Sequence, residues 1–356
     1  MFLMSVITDI KTFLEKSATS TLLDVRSPSE YSRGHIPGAL NLPLFQDGER
    51  ALIGTIYKKH GREEAISRGF EIVAGRYLEI ISAVERLDRK KPVLLYCWRG
   101  GMRSASVAWL LKIKGYSCLI LEGGYKSYRG LIRGYFSTPL NLKILGGMTG
   151  CGKTEILNEL RHQGEQVVDL ESLANHKGSA FGSLGERDQP TNEHFENLVL
   201  SAFLNLDAQR EIWLEDESRN IGKVIVPPEL YEQMRSAGVY YIDLNRRART
   251  LRLIKDYADF PDELLIDRVM RIYKKLGGQN ASAAIEAIQK KDYRAAIEIV
   301  LGYYDKTYLF GLNKRNPGSV VKIRTDSTSA RENASLLLKH KTGDPHGNFS
   351  NKLSLK

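Results

Sequence analysis

The sequence predicts an α/β protein made of two domains, each built on a parallel sheet. Short apolar segments with the composition of buried strands alternate with segments that carry apolar residues at helical spacing, which is typical of parallel α/β folds. Two strand-to-helix junctions carry glycine-rich turns, at residues 96–104 and 147–154. The length of 356 residues is enough for two domains of roughly 150 residues each.

Composition and charge describe an ordinary globular protein, with 42% hydrophobic and 26% charged residues. No apolar run approaches the roughly 18 residues of a membrane helix. The first residues lack the basic segment and the cleavage site of a secretory signal, so we expect a cytoplasmic protein with no membrane partner. The three cysteines, Cys97, Cys118 and Cys151, form neither a disulfide framework nor a CxxC metal pair. The net charge of +10 fits either a merely basic protein or one with a polyanionic partner such as nucleic acid.

The first domain is predicted to cover residues 1–137. It opens with a strand at 21–26, and a short helix then begins after Ser27 with Pro28 in its first turn. The remaining elements are, in chain order, a strand region at 34–43, a helix over 63–87, a strand at 92–96, a helix at 105–111 and a strand at 118–121. The basic and aromatic segment 125–139 is the predicted connector, which suits either RNA contacts or a solvated helix.

Cys97 lies on the turn between the strand at 92–96 and the helix that follows. Gly100 and Gly101 let the backbone curve around the thiol. Arg99 and Arg103 add positive charge, and a helix N-terminus favours anions and thiolates. We therefore predict a reactive Cys97 with a pKa below the ~8.5 of a free thiol, rather than a buried structural cysteine. Cys97 is the predicted catalytic residue.

Several motifs of this domain, taken in order, resemble the rhodanese family. They are Asp-Val-Arg at 24–26 with Glu-Tyr at 30–31, Gly-His-Ile-Pro-Gly-Ala at 34–39, the Cys97 turn, and Leu-Glu-Gly-Gly at 121–124. The resemblance implies a rhodanese-like parallel α/β domain in which His35 belongs to a structural turn. We expect Asp24 and Arg26 to be structural as well, pairing with each other and with backbone near the turn.

The spacing from Cys97 to Arg103 departs from the rhodanese pattern. It forms Cys-x5-Arg, one residue longer than the usual active loop of sulfur-transferring rhodaneses and equal to the spacing in cysteine phosphatases. A wider ring of backbone amides can hold a tetrahedral, phosphate-like anion. The loop is therefore predicted to bind a phosphorylated chalcogen donor or to perform phosphatase chemistry.

The second domain is predicted to cover residues 138–340 and to open with a phosphate-binding loop. Residues 147–154 match G-x-x-x-x-G-K-[ST] between a strand at 141–145 and a helix at 155–161, which is the context that the motif requires. Backbone amides of such a loop surround a phosphate chain, the lysine reaches terminal phosphates, and the hydroxyl binds Mg²⁺. The predicted phosphate or diphosphate ligands are Gly147, Gly150, Gly152, Lys153 and Thr154. Cys151 is interpreted as a small filler residue within the loop.

Further strands of this domain are predicted at 166–170, 211–216, 239–244 and 320–323. The second of these ends in Glu215, Asp216 and Glu217, which occupy the place of a metal-coordinating acid in P-loop proteins. We interpret them as acids linked to Mg²⁺, although none is assigned as a definite metal ligand. The alternative is that they form a run of charged residues on the surface. Arg219, close by, is a predicted diphosphate ligand. The irregular segment 175–182 is predicted to be a functional loop near the phosphate site.

Basic residues recur on two consecutive helices of the second domain, at 246–255 and in the helix that follows. Their spacing is consistent with a shared face and an RNA-backbone footprint, although solvated helix faces would have the same pattern. The predicted tRNA-binding residues are Arg246, Arg247, Arg249, Arg252, Arg268, Arg271 and Lys274. Packed helices are predicted over 281–312, and the polar tail 341–356 is predicted to be frayed.

The order of the Cys97 turn, the 147–154 loop and the acidic segment 215–219 resembles the tRNA 2-selenouridine synthase family, up to about residue 340. The implied fold class is a rhodanese-like α/β domain followed by a P-loop NTPase-like α/β domain with added basic helices. The implied reaction has two steps on wobble 2-thiouridine in tRNA. Geranyl diphosphate first alkylates the sulfur to give S-geranyl-2-thiouridine, and selenophosphate, supplied by selenophosphate synthetase, then replaces geranylthiol with selenium. No tightly bound cofactor is implied, and Mg²⁺ is a candidate.

The resemblance suggests which site serves which step. The 147–154 loop would hold geranyl diphosphate, while Cys97 would either accept selenium as a perselenide or position the donor. The predicted selenophosphate ligands are Arg99, Gly100, Gly101, Arg103 and Ser104. Two other functions stay open at this stage: a nucleotide-dependent kinase or ATPase with a rhodanese sensor domain, and a non-catalytic RNA-binding module.

Overall fold

A computed structural model describes residues 6–342, and the predicted frayed tail lies outside this range except for its first two residues. The described chain divides into two compact units. The first comprises the chain up to Tyr135 together with Glu193–Ser201, and the second comprises the rest. None of the described helices combines the length and the apolar composition needed to cross a bilayer.

The first unit is a parallel α/β fold, as predicted. In the described residues its strands are β1 (Val6–Thr8), β2 (Thr21–Asp24), β3 (Leu40–Asn41), β4 (Val93–Tyr96) and β5 (Cys118–Leu121), and all their pairings are parallel, in the order β1-β5-β4-β2-β3. Its helices are α1 (Ile10–Ser17), α2 (Pro28–Arg33), α3 (Asp47–His60), α4 (Arg62–Glu85), α5 (Met102–Ile113) and α6 (Gly124–Phe136). The central strand β4 is fully buried, and its carboxyl end carries Cys97.

Helix α3 was not predicted from the sequence. None of its fourteen residues is buried, so it lacks the strong apolar stripe that marks a core helix. Its start is nevertheless well defined, because Gln46 and Glu49 form a capping box. Helix α3 packs beside α4 and forms with it a helical hairpin near the carboxyl end of β4.

The buried ion pair between Asp24 and Arg26 lies at the carboxyl end of β2. Both Nε and Nη2 of Arg26 donate to the Asp24 carboxylate, at 2.6–3.0 Å, and Nη2 also donates to the carbonyl oxygen of Gly34. The guanidinium lies 3.8 Å from the centre of the Tyr125 ring. Both charged side chains are at most 1% exposed. The predicted pairing of these two residues is therefore confirmed.

Residues 193–201 lie in helix α9 (Asn192–Leu204) and belong to the first unit, although the chain before and after them belongs to the second. The amide of the buried Asn197 donates to the Tyr125 hydroxyl and to the carbonyl oxygen of His35, at 2.7 and 2.9 Å. The side-chain oxygen Oδ1 of Asn197 accepts from Arg129 at 2.7 Å. The predicted second domain covered the whole of 138–340, and no feature of the sequence indicated this arrangement.

The second unit also has the predicted parallel α/β architecture. Its main sheet, within the described chain, contains β6 (Leu142–Gly147), β7 (Gln166–Val167), β8 (Ile212–Glu215), β11 (Gly238–Leu244) and β12 (Val320–Thr325), in the order β12-β11-β6-β8-β7. A small antiparallel hairpin joins β9 (Asn220–Ile221) and β10 (Val224–Ile225). The predicted strand 166–170 is shorter than expected, because Asp169 caps a helix that starts at Leu170.

The helices of the second unit fall into two groups. Those that flank the sheet or lead into it are α7 (Lys153–His162), α8 (Leu170–Ala174), α10 (Pro228–Ser236), α11 (Arg246–Tyr257) and α16 (Ala330–Thr342). A separate helical cluster with its own apolar core contains α12 (Asp262–Arg271), α13 (Tyr273–Leu276), α14 (Gly278–Gln289) and α15 (Tyr293–Leu312). This cluster packs against α11, and its residues lie close to Thr149 of the phosphate-binding loop.

We expect the substitution Asp24→Ala to destabilise the first unit strongly. The change leaves the Arg26 guanidinium buried without its carboxylate, which costs about 3–5 kcal/mol of unfolding free energy. Urea denaturation followed by circular dichroism measures the loss. The matched control is Glu71→Ala, which breaks an exposed pair with Arg68 and should cost less than about 1 kcal/mol. Equal losses in the two variants would contradict the role of the buried pair.

Candidate functional site

The Cys97 loop connects the end of β4 to the start of α5. Cys97 directly follows Tyr96, the last residue of the buried strand, and the loop ends at Gly101, the residue before α5. The Cys97 residue is only 3% exposed. Its Sγ accepts hydrogen bonds from the backbone N–H of Gly101 at 3.3 Å and from the hydroxyl of Ser104 at 3.4 Å. One backbone N–H of the loop and the Ser104 hydroxyl, which also lies 2.9 Å from the Gly101 carbonyl oxygen, are thus within hydrogen-bond distance of the sulfur.

The electrostatic surroundings of Cys97 favour the thiolate. Burial by itself raises the pKa of the thiol, but the Ser104 hydroxyl, the charge of Arg103 and backbone N–H groups of the loop together lower it. The net result is a Cys97 pKa below its ordinary value. This direction agrees with the sequence prediction, and a lowered pKa is what distinguishes reactive from structural cysteines.

The start of α6 fixes the backbone of the Cys97 loop. The N–H groups of Tyr125 and Lys126 donate to the carbonyl oxygens of Cys97 and Trp98, at 2.8 and 3.0 Å. Gly124 and Gly100 both have positive φ values and approach each other closely. A Cβ on Gly124 would collide with the Cys97 carbonyl oxygen and with the Gly100 nitrogen. The wide loop is therefore held open by a backbone contact that only glycine permits at this position.

The two arginines of the loop have different surroundings. Arg103 forms an ion pair with Glu30 at 2.7 Å, and Arg50 lies 3.8 Å from the same carboxylate. Burial raises the pKa of Glu30, but the bond from Arg103 outweighs it, so the pKa is lowered overall. Arg99 is exposed at the mouth of the loop. Arg103 is thus oriented by the protein, while Arg99 faces the space in front of the thiol.

A cavity of about 810 Å³ opens on the Cys97 loop. The hairpin of α3 and α4 forms much of its wall, contributing both aromatic and basic side chains. These include Tyr57, Phe70, Tyr77, Lys58 and Arg62. A phosphate-sized donor would fill only a small part of this volume, so the cavity has room for a second group beside such a donor. The helix over 63–87 was predicted, but the part of the wall formed by α3 was not.

The phosphate-binding loop of the second unit runs from the end of β6 to the start of α7. Lys153 is the first residue of α7, and its Nζ lies 3.5 Å from the carbonyl oxygen of Gly147. Burial lowers the pKa of Lys153, but neighbouring groups, Cys151 first and then Glu217 and Glu171, raise it overall. The lysine is therefore charged and ready to bind an anion.

The three predicted Mg²⁺-linked acids have three different surroundings. Glu215 is 1% exposed, and burial raises its pKa far above the ordinary range. Asp216 accepts from Arg315 at 2.6 Å and from the Tyr308 hydroxyl at 2.9 Å, so its carboxylate is held by protein groups. The pKa of Glu217 is raised by burial and by repulsion from Glu171.

Glu171 was missed by the sequence analysis and is the acid that contacts the loop. Its carboxylate accepts from the Thr154 hydroxyl at 3.3 Å, and its backbone N–H donates to Glu215 at 2.6 Å. Burial and the neighbouring acid Asp169 raise the pKa of Glu171, although Lys153 opposes them. Glu171 lies shortly after the strand β7. In P-loop proteins a metal-linked acid often follows a strand, so this position in the sequence could have indicated Glu171.

No group of three or more His, Cys, Asp or Glu side chains is arranged to hold a metal ion by itself within residues 6–342. Mg²⁺ usually takes one or two protein carboxylates together with substrate phosphates. The Thr154 hydroxyl and the Glu171 carboxylate are donors of the right chemistry for such a shared ion. Cys151 is 2% exposed beneath Gly147, and burial raises its pKa, which is consistent with a filler role.

The basic residues predicted to bind tRNA do not form one group. Arg249 contradicts the prediction: it is 3% exposed, forms two bonds to Asp305 at 2.8 and 2.9 Å, and donates to the carbonyl oxygen of Thr149. Through this bond to Thr149, Arg249 holds the backbone of the phosphate-binding loop. Arg252 forms an ion pair with Glu155 and lies against Gly152, so it borders the same loop.

Four of the other predicted tRNA contacts remain accessible, whereas the Arg268 side chain is only 12% exposed. Exposed side chains belong to Arg246, Arg247, Arg271 and Lys274. Arg246 also donates to the carbonyl oxygen of Glu298, and both Arg268 and Arg271 pair with Asp267. Arg219, the predicted diphosphate ligand, is exposed and precedes β9.

Comparison with known proteins agrees with this arrangement. Residues 140–335 match the family model described as tRNA 2-selenouridine synthase AAA domain, and residues 7–131 match the rhodanese-like domain model. The chain is 36% identical to a tRNA 2-selenouridine synthase of Shewanella frigidimarina and 36% identical to one of Pseudomonas fluorescens. Each alignment covers 83% of this chain and 89% of the relative.

A solved N-terminal domain of an ATP/GTP binding protein from Clostridium difficile 630 is 38% identical over 35% of this chain and 98% of that domain, with a TM-score of 0.34. From the family match and the two relatives, the chain belongs to the tRNA 2-selenouridine synthase family.

We expect Cys97 to be alkylated by iodoacetamide with a midpoint below the ~8.5 of a free thiol, because its surroundings lower the thiol pKa. The thiolate is then the main form at a lower pH than usual. Removing the hydroxyl in Ser104→Ala should shift the midpoint upward. Mass spectrometry of the separate cysteine peptides measures each rate. Cys118 is the internal control, because burial raises its pKa to about 11. A Cys97 midpoint that Ser104→Ala leaves unchanged would contradict this assignment.

Proposed function

We propose that this member of the tRNA 2-selenouridine synthase family is a tRNA-modifying enzyme that converts wobble 2-thiouridine to 2-selenouridine through S-geranyl-2-thiouridine. The relatives named for this synthase activity support the selenation. The observation that supports two steps is the presence of two anion-binding loops with different chemistry. One carries an activated thiol, and the other carries a P-loop lysine. Selenophosphate and geranyl diphosphate would each use one of them.

In the first step the sulfur of 2-thiouridine attacks the first carbon of the geranyl chain. The carbon–oxygen bond to diphosphate breaks, and both electrons leave with the diphosphate. The N3 proton of the thiouridine is lost to solvent, which leaves a neutral S-alkylated base. Lys153 and the amides of the 147–154 loop stabilise the negative charge that develops on this leaving group. Arg252 borders Gly152 but is paired with Glu155, so it would add positive charge here if that pair opened. The alkylated sulfur becomes a much better leaving group than a thiocarbonyl sulfur.

When bound with the diphosphate, Mg²⁺ would neutralise part of its charge, and Thr154 and Glu171 would hold the ion. The buried acids explain why a cation suits this place. Burial and mutual repulsion raise the pKa values of Glu171, Glu215 and Glu217. A cation bound beside these carboxyl groups would oppose the shifts and favour their charged forms.

In the second step the Cys97 loop holds selenophosphate. The loop amides, Arg99 and Arg103 bind the phosphoryl oxygens, and the cavity above them takes the alkylated nucleotide. Selenium in selenophosphate has the oxidation level of selenide, so a perselenide on Cys97 would require an added oxidant or the reduction of phosphorus. In the alternative, Cys97 positions and activates the donor. Selenium attacks C2 of the alkylated uridine, geranylthiol leaves, and water cleaves the selenium–phosphorus bond to release phosphate, so this role needs neither. We therefore favour that role over the covalent perselenide.

The partner of the enzyme is tRNA, with selenophosphate coming from selenophosphate synthetase. The accessible cations Arg246, Arg247, Arg271 and Lys274 are the proposed contacts to the tRNA backbone. Each phosphate contact should add to the salt dependence of binding. Arg249 is excluded from this set by its burial.

Replacing Cys97 by serine should abolish selenation and preserve geranylation. Serine cannot supply a thiolate, whereas the 147–154 loop is unaffected. Thiolated tRNA is incubated with geranyl diphosphate and selenophosphate, and its nucleosides are identified by mass spectrometry. The Cys97→Ser reaction should accumulate S-geranyl-2-thiouridine, while Cys118→Ser, which changes a buried thiol elsewhere in the unit, should form 2-selenouridine. Loss of both steps in Cys97→Ser would refute the division between the two loops.

Replacing Lys153 by alanine should slow geranylation by about a hundredfold or more, because one preorganised positive charge on the leaving group is lost. Single-turnover formation of S-geranyl-2-thiouridine measures the rate. Lys322→Ala, which removes an exposed lysine paired with Asp243, serves as the control. Unchanged geranylation in Lys153→Ala would count against the loop, and RNA-stimulated ATP hydrolysis that depends on Lys153 would favour a nucleotide-dependent enzyme instead.

A further inference from the structure

A narrow cavity in the second unit lies directly behind the phosphate-binding loop. It is enclosed by α11, α12, α14 and α15, and its volume is about 60 Å³. A water-sized group needs roughly 10–15 Å³ by this measure, so the space holds about four to six such groups. Protein interiors contain few voids larger than one water molecule. A cavity of this size beside a phosphate-binding loop is therefore a candidate binding site.

The cavity is joined to the loop by direct contacts. Thr149 of the loop lines one end, and Ser179 lies there as well. Leu253 on α11 packs so close beneath Gly150 that a Cβ on that glycine would lie 3.0 Å from the leucine Cγ. The buried Arg249 donates to the Thr149 carbonyl oxygen at 3.1 Å. The cavity and the loop thus share Thr149 as a wall, which brings an apolar space next to the predicted anion site.

The rest of the lining is hydrocarbon. It is formed by apolar side chains such as Leu265, Val269 and Ile288, together with aromatic rings. Hydroxyl groups of two lining tyrosines are already engaged. The Tyr304 hydroxyl accepts from the backbone N–H of Ala180, and the Tyr293 hydroxyl donates to Asp262, both at 2.9 Å. The rings therefore offer carbon atoms rather than polar groups to a ligand.

We propose that this cavity receives the hydrocarbon chain of the prenyl diphosphate whose diphosphate group binds to the 147–154 loop. The inference rests on the first step of the proposed function and identifies where the chain of its substrate lies. The order of the two surfaces, an anion-binding loop followed by an apolar space, matches a diphosphate head with a branched hydrocarbon tail. Apolar cavities of this kind stay dry and bind apolar groups.

The size of the cavity suggests how the chain is placed. Space for about four to six water-sized groups fits one isoprene unit. The far unit of a geranyl chain would fill the cavity, and the near unit would connect it to the diphosphate at Thr149. A nucleobase fits less well, because its polar edges need hydrogen-bond partners and this lining is apolar away from the loop.

Filling the cavity should separate binding of the chain from binding of the diphosphate. Ala296 on α15 and Ala258 at the end of α11 both line it, so Ala296→Leu and Ala258→Leu occupy the space from two different walls. Calorimetry on the full chain measures the affinities for geranyl diphosphate and for inorganic diphosphate. The matched control is Ala295→Leu, the same change at a neighbouring residue that does not line the cavity.

We expect the wild type to bind geranyl diphosphate more tightly than inorganic diphosphate. Each filled variant should lose about tenfold or more in affinity for geranyl diphosphate, because buried apolar contacts are removed, and should keep its affinity for inorganic diphosphate within about twofold. Ala295→Leu should match the wild type with both ligands. Circular dichroism confirms that each variant is folded before its affinities are compared.

Three results would overturn the inference. They are equal affinities of the wild type for the two ligands, filled variants that keep the wild-type affinity for geranyl diphosphate, and folded variants that lose ATP binding rather than geranyl diphosphate binding. Nucleoside analysis separates this inference from the proposed function. A wild type that binds geranyl diphosphate through the cavity but forms no S-geranyl-2-thiouridine would refute the proposed reaction and leave the cavity assignment standing.

Discussion

The buried ion pair between Asp24 and Arg26 joins the elements that surround the Cys97 loop. Arg26 donates to Asp24 and to the Gly34 carbonyl oxygen, and its guanidinium stacks on the Tyr125 ring. The backbone N–H of Tyr125 in turn donates to the carbonyl oxygen of Cys97. A buried pair of this kind adds little net stability, since desolvation offsets the attraction. Its main effect is to fix one geometry, because any other arrangement would leave a charge buried without a partner.

The two loops differ in the charge that they hold before any substrate binds. In the first unit, hydrogen bonds and the charge of Arg103 stabilise a negative sulfur. In the second unit, a charged Lys153 lies among buried carboxyl groups whose pKa values are raised, as for Glu171 and Glu217. The first arrangement suits a thiolate that positions and activates a donor, and the second suits stabilisation of a departing anion. Similar glycine-rich turns thus serve different chemistry.

Both loops could be predicted because their residues are contiguous and each motif includes its own strand and helix. The failures came from contacts between residues far apart in sequence. Helical spacing showed that α11 is basic, but only the fold shows that Arg249 faces Asp305 and is buried. Glu171 reaches Thr154 through the turn after β7. Helix α3 has no buried residue, so its sequence lacks a clear stripe of apolar residues at helical spacing. In each case tertiary packing decided what local pattern could not.

The first unit is built from two separate parts of the chain, and this affects how it folds during synthesis. Asn197 is fully buried and completes the hydrogen bonding of the Tyr125 hydroxyl and of the His35 carbonyl oxygen. Domains generally fold as units in order of their emergence from the ribosome. Here the first unit cannot be completed until Glu193–Ser201 has been translated, after the phosphate-binding loop of the second unit has already emerged. A fragment that ends at Tyr135 would lack this segment, so the two units are linked in their biogenesis as well as in sequence.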